Sequence, residues 1–350
     1  MSISMYETRM MLPMVNNEKR ASSFLRDRYF SNVVRSEAKK VDIDIVDGKR
    51  KVAPFVHPSI GGKAVSHEGY TTNTFEPPET SPMMITTSED LLNRSAGENI
   101  YGLRSPNERA AEQLGKDLRE LDTIITRREE VMCAEALFSG QVTVSGEGYD
   151  EQIIQYWPSQ SAQQPKTTLA SPNRWGDSNV DPTKALREVR RKIIQKSGIT
   201  PRDAIFGKQA IEAFLDGLKH STLDMRRVDL GVIDPQHLPN GVTYWGYLKD
   251  SALDIWSYDE YYLDENGDEQ PIVPEKKVLI CSSEARTQMI YGPCALMGNG
   301  GNVPVFYAEP RVPDSWVQRS NPAGRIVQIK SRPLPVVNQV QAFHVLTPIA

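Results

Sequence analysis

After Pro106 no proline interrupts the chain until well past Ser139, and within that run Leu114, Leu118, Leu121 and Ile125 return at helical spacing. At ~1.5 Å per residue such a run makes a helix about 50 Å long, whereas a compact globule of this chain length has a radius of gyration of roughly 20 Å. The helix, spanning residues 105–139, therefore crosses the whole subunit. Its start is marked by Ser105-Pro106-Asn107-Glu108: serine caps the first free amides, proline suits the first helical position, and the glutamate completes a capping box. Gly140 ends it, as glycine does where a chain must turn left-handed. Glu112 and Lys116 form an i,i+4 pair of favourable polarity, worth about 0.3 kcal/mol. The residues ahead of this spine show little sign of a packed core of their own. A rigid spine with long extended flaps points to surface meant for neighbours.

Composition agrees with a chain that is largely surface. It has 350 residues, of which only 39% are hydrophobic, and a mean hydropathy of -0.46. That length allows two domains, or one with large excursions. A net charge of -4 is too small to make nucleic acid the main ligand of the whole chain. No apolar run approaches the roughly 20 residues needed to span a bilayer, and Met1 to Met14 lacks a signal peptide's continuous apolar stretch. The expectation is a soluble product with no membrane contact. Cys133, Cys281 and Cys294 are odd in number and lack metal-ligand spacing, so they read as buried, reduced thiols.

The first forty residues carry eight Lys or Arg against four acidic residues. Leu25, Tyr29 and Val33, with Phe30 and Val34 beside them, are placed to line one face of a short helix in this arm. Val41, Ile43 and Ile45 alternate with acidic residues, and Asp47-Gly48 reads as a hairpin turn leading into a second strand over Lys49 to Val56. From Pro54 to Pro82, frequent proline and glycine favour extended backbone. Such a hairpin is marginal in water unless it lies on another element or another subunit.

Past the spine, Val142 to Tyr156 reads as strand and turn, and Pro158 to Asn179 as loop. A second helix opens at Asp181-Pro182, shows Leu186, Val189 and Ile193 on one side, and stops at Gly198. Its other side holds Arg187, Arg190, Arg191, Lys192 and Lys196, which reads first as a solvated face whose charge suits a helix C-terminus. Then follow a strand at Asp203 to Phe206, a helix at Lys208 to Leu218, strands at Val242 to Leu248, Leu253 to Leu263 and Val278 to Cys281, and a strand-like end from Val327 to Leu346 cut by Pro333 and Pro335.

Four constellations invite a catalytic or ligand-binding reading. Asp264, Asn266, Asp268 and Glu275 fall at calcium-loop spacing, yet the glycine sits at the fourth position rather than the sixth, and Asn266-Gly267 makes a simpler hairpin turn. Gly298 to Asn302 lacks the Lys-Ser or Lys-Thr of a phosphate loop. The histidines His57, His67, His220, His237 and His344 are scattered. No nucleophile elbow or cysteine-histidine signature occurs. The expectation is no enzyme, no catalytic residue, no metal and no cofactor, with a metal-assisted hydrolase on the Asp264 loop as the weakest alternative.

The order of parts, together with certain local features, resembles the major capsid protein family of tailed phages typified by phage lambda, the major head protein E family. The features are Val56, Pro58, Gly61-Gly62, Gly69, Thr72, Phe75 and Pro77 in the extended region, Glu130 through Ala136-Leu137 and the Ser139-Gly140 exit in the spine, and Gly146 to Tyr149 after it. Asp181-Pro182-Thr183, Gly198, Leu223-Asp224, Arg226-Arg227, Trp316-Val317, Pro322, Ser331 and Pro333-Leu334 complete the series. The resemblance implies an α+β fold of the Hong Kong phage type. Its parts would be an N-terminal arm over 1–40, an extended β-hairpin loop over 41–88, a peripheral domain over 89–198, an axial α/β domain over 199–325, and a C-terminal strand over 326–350 returning to the peripheral domain. It also implies self-assembly through hexamers and pentamers into an icosahedral head enclosing double-stranded DNA without sequence readout. A scaffolding protein, a portal and a decoration protein at three-fold positions would be partners, with the host cytoplasm as the place of assembly and the virion as the destination. A protein-cargo compartment of the same fold is the alternative shell. For contacts between subunits the candidates are Tyr70 and Phe75 on the loop and Phe24 and Phe30 on the arm.

Overall fold

The computed structural model describes residues 6–17, 23–46, 70–87, 106–146, 149–177, 180–220, 236–264, 267–297, 304–319 and 323–349. Five α-helices occur among them: α1 (Thr8–Asn17), α2 (Phe24–Tyr29), α3 (Pro106–Phe138), α4 (Pro182–Ser197) and α5 (Lys208–His220). The spine is α3, with 33 residues. It ends where Gly140 takes φ +69°, and a side chain there would collide with the Trp157 ring. That exit therefore requires glycine on two counts.

Three layers of contact build the subunit around the spine. At its first half, Leu114, Leu118, Leu121 and Ile125 pack with Met11 and Val15 of α1 and with Val327 and Ile329. Each such burial contributes roughly 1.5–3 kcal/mol. The strand residues belong to a three-stranded sheet in the order Val312–Gln318, Gly324–Lys330, Met83–Thr87. At the spine's second half, Val131 to Phe138 join the main core, which continues into α2 and one face of a seven-stranded sheet. The order of that sheet is Lys166–Thr168, His344–Thr347, Val278–Cys281, Asp203–Phe206, Leu253–Tyr258, Val242–Leu248, Gln236–His237. Its other face is covered by α4 and α5 through Leu186, Val189, Ile193, Ile211 and Phe214. As the sequence suggests, α4 starts from an Asp181 cap, whose carboxylate accepts from the Thr183 N–H at 2.9 Å, and ends at Gly198 with φ 84°.

Several expectations need correction. The arm helix α2 stops at Tyr29, and Val33–Arg35 is a strand beside Thr287–Tyr291, leaving Val33 and Val34 exposed. Pairing with a sheet edge outcompetes a helix whose apolar stripe would have run past its own core. A further helix, α1, occupies the arm despite Pro13. Val41–Val46 pairs with Tyr70–Phe75, Val41 opposite Phe75; Asp47-Gly48 and Lys49 to Val56 lie outside the described residues. The base of this ribbon also has a core to rest on: Ile43 is fully buried, and Val41 and Phe75 pack on the main cluster. Pro333 and Pro335 do not cut a strand but lie within one, Pro333–Val337, on the edge of the three-stranded sheet that contains Val33–Arg35. An edge strand has one side free of ladder bonds, which is where proline fits. Finally, Leu253 to Leu263 divides into Leu253–Tyr258 and Tyr261–Leu263.

Candidate assembly surfaces and the arm clasp

Asp122, Thr126 and Glu129 recur at four- and three-residue steps, so they stack on one face of α3. Into that face enters Arg311, from the residue just before the Val312–Gln318 strand. Its Nε donates to Asp122 Oδ1 at 2.6 Å, Nη1 to Glu129 Oε1 at 2.6 Å, and Nη2 to Glu129 Oε2 at 3.1 Å and to Thr126 Oγ1 at 3.2 Å. Both Arg311 and Glu129 are wholly buried. A guanidinium fork matched to a carboxylate in this way is the strongest ordinary side-chain pairing. Arg26 of α2 adds Nη1 to Glu129 Oε2 at 2.8 Å, and the Tyr291 hydroxyl donates to Glu129 Oε1 at 3.0 Å. Burial opposes ionisation of Glu129, but Arg311 and then Arg26 outweigh it and hold its pKa below the usual value.

The neighbouring Glu130 receives the start of α2. Its Oε1 accepts from the Leu25 N–H at 2.6 Å and its Oε2 from the Arg26 N–H at 2.9 Å, satisfying two of the free amides at that helix's first turn. Burial nevertheless pushes its pKa up to about 6, with those backbone bonds pulling the other way. The far side of α2 reaches the seven-stranded sheet: Arg28 binds Asp203 through Nη2 at 2.6 Å and Nε at 3.1 Å, and the Tyr29 hydroxyl donates to Asp203 at 3.0 Å. One six-residue helix thus clasps spine and sheet together. Its bonds are directional, so they fix where the arm lies.

The aromatic candidates are distributed unevenly around this clasp. Phe24 is half-buried, with its ring 5.4 Å from Trp256 and 5.7 Å from Tyr258. Phe30 is 1% exposed in the subunit's own core. Phe75 is half-buried against the same cluster. Tyr70 takes part in the ribbon through its backbone, opposite Val46, and its side chain lies outside what is described.

Unpartnered apolar surface lies elsewhere. On the sheet beneath α1 and α3, Met84, Val327 and Ser315 stand in one cross-strand row facing the helices, and Ile85, Ile326 and Trp316 in the next row face away. Ile326 is covered by its neighbours, but Ile85 is 43% exposed, Trp316 38% and Met83 56%. The ribbon Cys294–Met297 with Pro304–Tyr307 repeats the arrangement. Cys294 and Leu296 point inward, while Met297 and Phe306 are each 68% exposed. A groove of about 490 Å³ adjoins α3, lined by Ile124, Arg127, Arg128, Val131, Tyr261 and Leu263. None of these positions is among the contact candidates that the sequence offers, and Trp316 enters there only as a feature of the family resemblance. Strand alternation shows that faces exist, not which one stays uncovered.

At the calcium-loop spacing Tyr261–Leu263 pairs with Glu269–Pro271 as a hairpin, Gly267 has φ 85°, and the Asp264 carboxylate accepts from the Asp268 N–H at 2.9 Å, while Asn266 lies outside the described residues. Glu275 instead bonds Gln209. Among the described residues no cluster of three or more His, Cys, Asp or Glu side chains fits a metal ion. Gly298 to Asn302 lies outside the described residues. His237 is bonded to Thr243 and His344 to Thr167. All three cysteines are buried and free.

Comparison with known proteins gives a consistent picture. The family model described as phage major capsid protein E matches residues 7–347. The major capsid protein of Escherichia phage lambda is 23% identical, over 97% of this chain and 98% of its own length. That of Enterobacteria phage P21 is 22% identical, over 98% and 99%. Among solved structures, a prophage protein of Escherichia coli CFT073 assigned to the capsid superposes with a TM-score of 0.70 at 18% identity, over 98% of this chain and 99% of that one.

Proposed function

This chain belongs to the phage major capsid protein E family and is the major capsid protein of a tailed phage, with the Hong Kong phage-type fold; from that premise we propose how its parts divide the work. Copies associate into the virion shell, and association must cover apolar surface that a lone subunit leaves in water. The observation that carries the proposal is the pair of outward apolar faces, Met83, Ile85 and Trp316 on one sheet and Met297 and Phe306 on the short ribbon. Larger contiguous patches of this kind mark contact sites on soluble proteins. Each contact is modest, and many identical contacts per subunit multiply into a closed shell.

In this scheme residues 1–40 act as the arm, 41–88 as the extended loop, 89–198 as the peripheral domain around α3, 199–325 as the axial domain and 326–350 as the returning strand. Tyr70 reaches a neighbour directly. Phe75 and Phe24 offer a neighbour their open edges while resting on their own subunit, and Phe30 supports the arm from beneath. Hexamers and pentamers assemble in the host cytoplasm with a scaffolding protein and a portal, a decoration protein occupies three-fold positions, and the shell holds double-stranded DNA without reading its sequence. The chain's role is structural and involves no catalysis.

Trp316→Asp combined with Ile85→Asp tests the surface that carries this reading. The expected result is a subunit with an unchanged denaturation midpoint that yields no particles by negative-stain microscopy. Normal particles from that variant would remove the sheet face from the contacts.

A further inference from the structure

The outer side of α4 is cationic to a degree that its own fold does not explain. Leu186, Val189 and Ile193 turn inward, and the residues left exposed are Lys184, Glu188, Arg191, Lys192, Gln195 and Lys196. The helix dipole favours cations only within the last turn, and of these only Lys196 lies there. Arg187 is neutralised by Asp250 at 3.2 Å and by Asp181 at 3.7 Å. Lys184, Arg191, Lys192 and Lys196, by contrast, make no ion pair among the described residues. Beside them Arg190 is half-buried, and its Nε is enclosed with no hydrogen-bond partner. Like charges four residues apart, such as Lys192 and Lys196, cost a helix a few tenths of a kcal/mol. Their field is felt beneath the helix, where His344 is driven down to about 4 by burial first and by Lys192 and Lys196 next.

We infer that this face of α4 is a contact for the sugar-phosphate backbone of duplex DNA held inside the shell. The inference rests on the capsid reading and adds a specific inner surface to it. From Lys184 to Lys196 the stripe runs about 18 Å along a straight helix. Over that distance a duplex presents about ten phosphate charges, at one per ~1.7 Å of axis. Four cations against the single carboxylate of Glu188, with Gln195 beside them, leave this face a net positive charge that suits phosphates. A second copy of the chain is a poorer match. Asp122, Glu129 and Asp203 are buried and Asp181 and Asp250 are bound to Arg187, so a copy would have to offer other exposed acids, an arrangement that protection of the stripe in empty shells would reveal. The whole chain carries -4, so a local cationic face on a mildly acidic subunit holds the duplex at one place and repels it from the rest.

Two measurements decide the matter. The first is titration of the free subunit with a duplex oligonucleotide at several salt concentrations. Four phosphate contacts give a log–log slope of about -3.6, so affinity weakens roughly a hundredfold between about 50 and 200 mM salt. The variant carrying Lys184→Gln, Arg191→Gln, Lys192→Gln and Lys196→Gln is expected to stay folded and to flatten that slope toward zero. Lys116→Gln on the spine serves as the control and leaves the slope alone. A quadruple variant with the wild-type slope overturns the inference. The second measurement is acylation of lysines, read by mass spectrometry, in free subunits, empty shells and filled shells. Lys184, Lys192 and Lys196 are expected to react freely in the first two and to be protected in the third. Protection already present in empty shells would mean that a neighbouring copy covers the stripe, and equal reactivity in filled shells would make it a solvated face; either result refutes DNA contact. Failure to form particles at all would count against the capsid reading instead, and the duplex titration would still judge α4.

Discussion

The two helices of the arm are held to the rest of the subunit by different physics. Helix α1 rests on the spine through Met11 and Val15, while its Met10 and Met14 stay exposed. Helix α2 is tied by Glu130 at its first amides, by Arg26 to Glu129, and by Arg28 and Tyr29 to Asp203. Apolar contact is non-directional and roughly proportional to area, so α1 can slide or lift at a cost set mainly by the surface it uncovers, with the Arg325 guanidinium over the Tyr6 ring just ahead of it. A buried ion pair tolerates no such freedom, because each partner left alone keeps its full desolvation cost. The difference separates an adjustable part of the arm from a latched one, within a few residues of each other.

The comparison breaks most readily at Arg311. Arg311→Met leaves Asp122 and part of Glu129 uncompensated in a dry site, and the expected loss is about 3–5 kcal/mol in urea unfolding. Adding Glu129→Gln should return part of it, because the stranded charge goes; no recovery would mean that the loss came from packing. Met11→Ala is the matching change at α1, with an expected effect of about 2 kcal/mol. It should appear as faster proteolysis and hydrogen exchange confined to residues 6–17, with little change in the global midpoint. Global unfolding would show that α1 is latched as firmly as α2.

Glu130 sharpens the contrast through pH. Its pKa rises from 4.5 unfolded to about 6 folded, so between those values the folded state holds a proton that the unfolded state has lost. Stability therefore falls as pH rises through this window, by about 2 kcal/mol once the carboxyl is ionised in both states. Glu130→Gln should abolish that slope. His344, kept neutral down to about 4 against 6.5 when unfolded, acts with the opposite sign, losing stability as pH falls. Over the shared window the two slopes offset each other, so Glu130→Gln should turn a nearly flat wild-type curve into one whose stability falls as pH drops, and a variant curve that matches the wild type would remove the glutamate from the balance.

Much of the architecture could be read from local chemistry, because it is local. Pro106, Gly140, Asp181 and Gly198 are signals written within one turn of the helices they bound, and α3 and α4 begin and end beside them, while Ser105 lies outside the described residues. The clasp escaped notice because its partners are far apart in the chain: Arg311 meets Glu129 across 182 residues, and Leu25 meets Glu130 across 105. Nothing in Glu309-Pro310-Arg311 marks the last of these for burial. The aromatic candidates were chosen from segments poor in apolar residues. Those are the side chains a subunit covers first with its own body, as Phe30 and Phe75 illustrate. The sides left open, at Met83, Ile85 and Phe306, look in sequence like any alternating strand.

The smallest expected effect tests whether burial, rather than charge itself, makes the latch. Glu112 and Lys116 sit on the same helix as Glu129, 3.2 Å apart, but their side chains are 41% and 44% exposed. Water screens such a pair, and both side chains lose rotamer freedom in making it, so Glu112→Gln should cost only about 0.3 kcal/mol. In about 1 M salt the screening length shrinks to about 3 Å and the difference between variant and wild type should vanish. The Arg311–Glu129 pair, from which both water and counterions are excluded, should keep its contribution under the same conditions. A loss at Glu112 above about 1 kcal/mol, or one that persists in high salt, would place an exposed pair in the same energetic class as the buried one. The distinction between latched and adjustable contacts would then have to rest on something other than solvent.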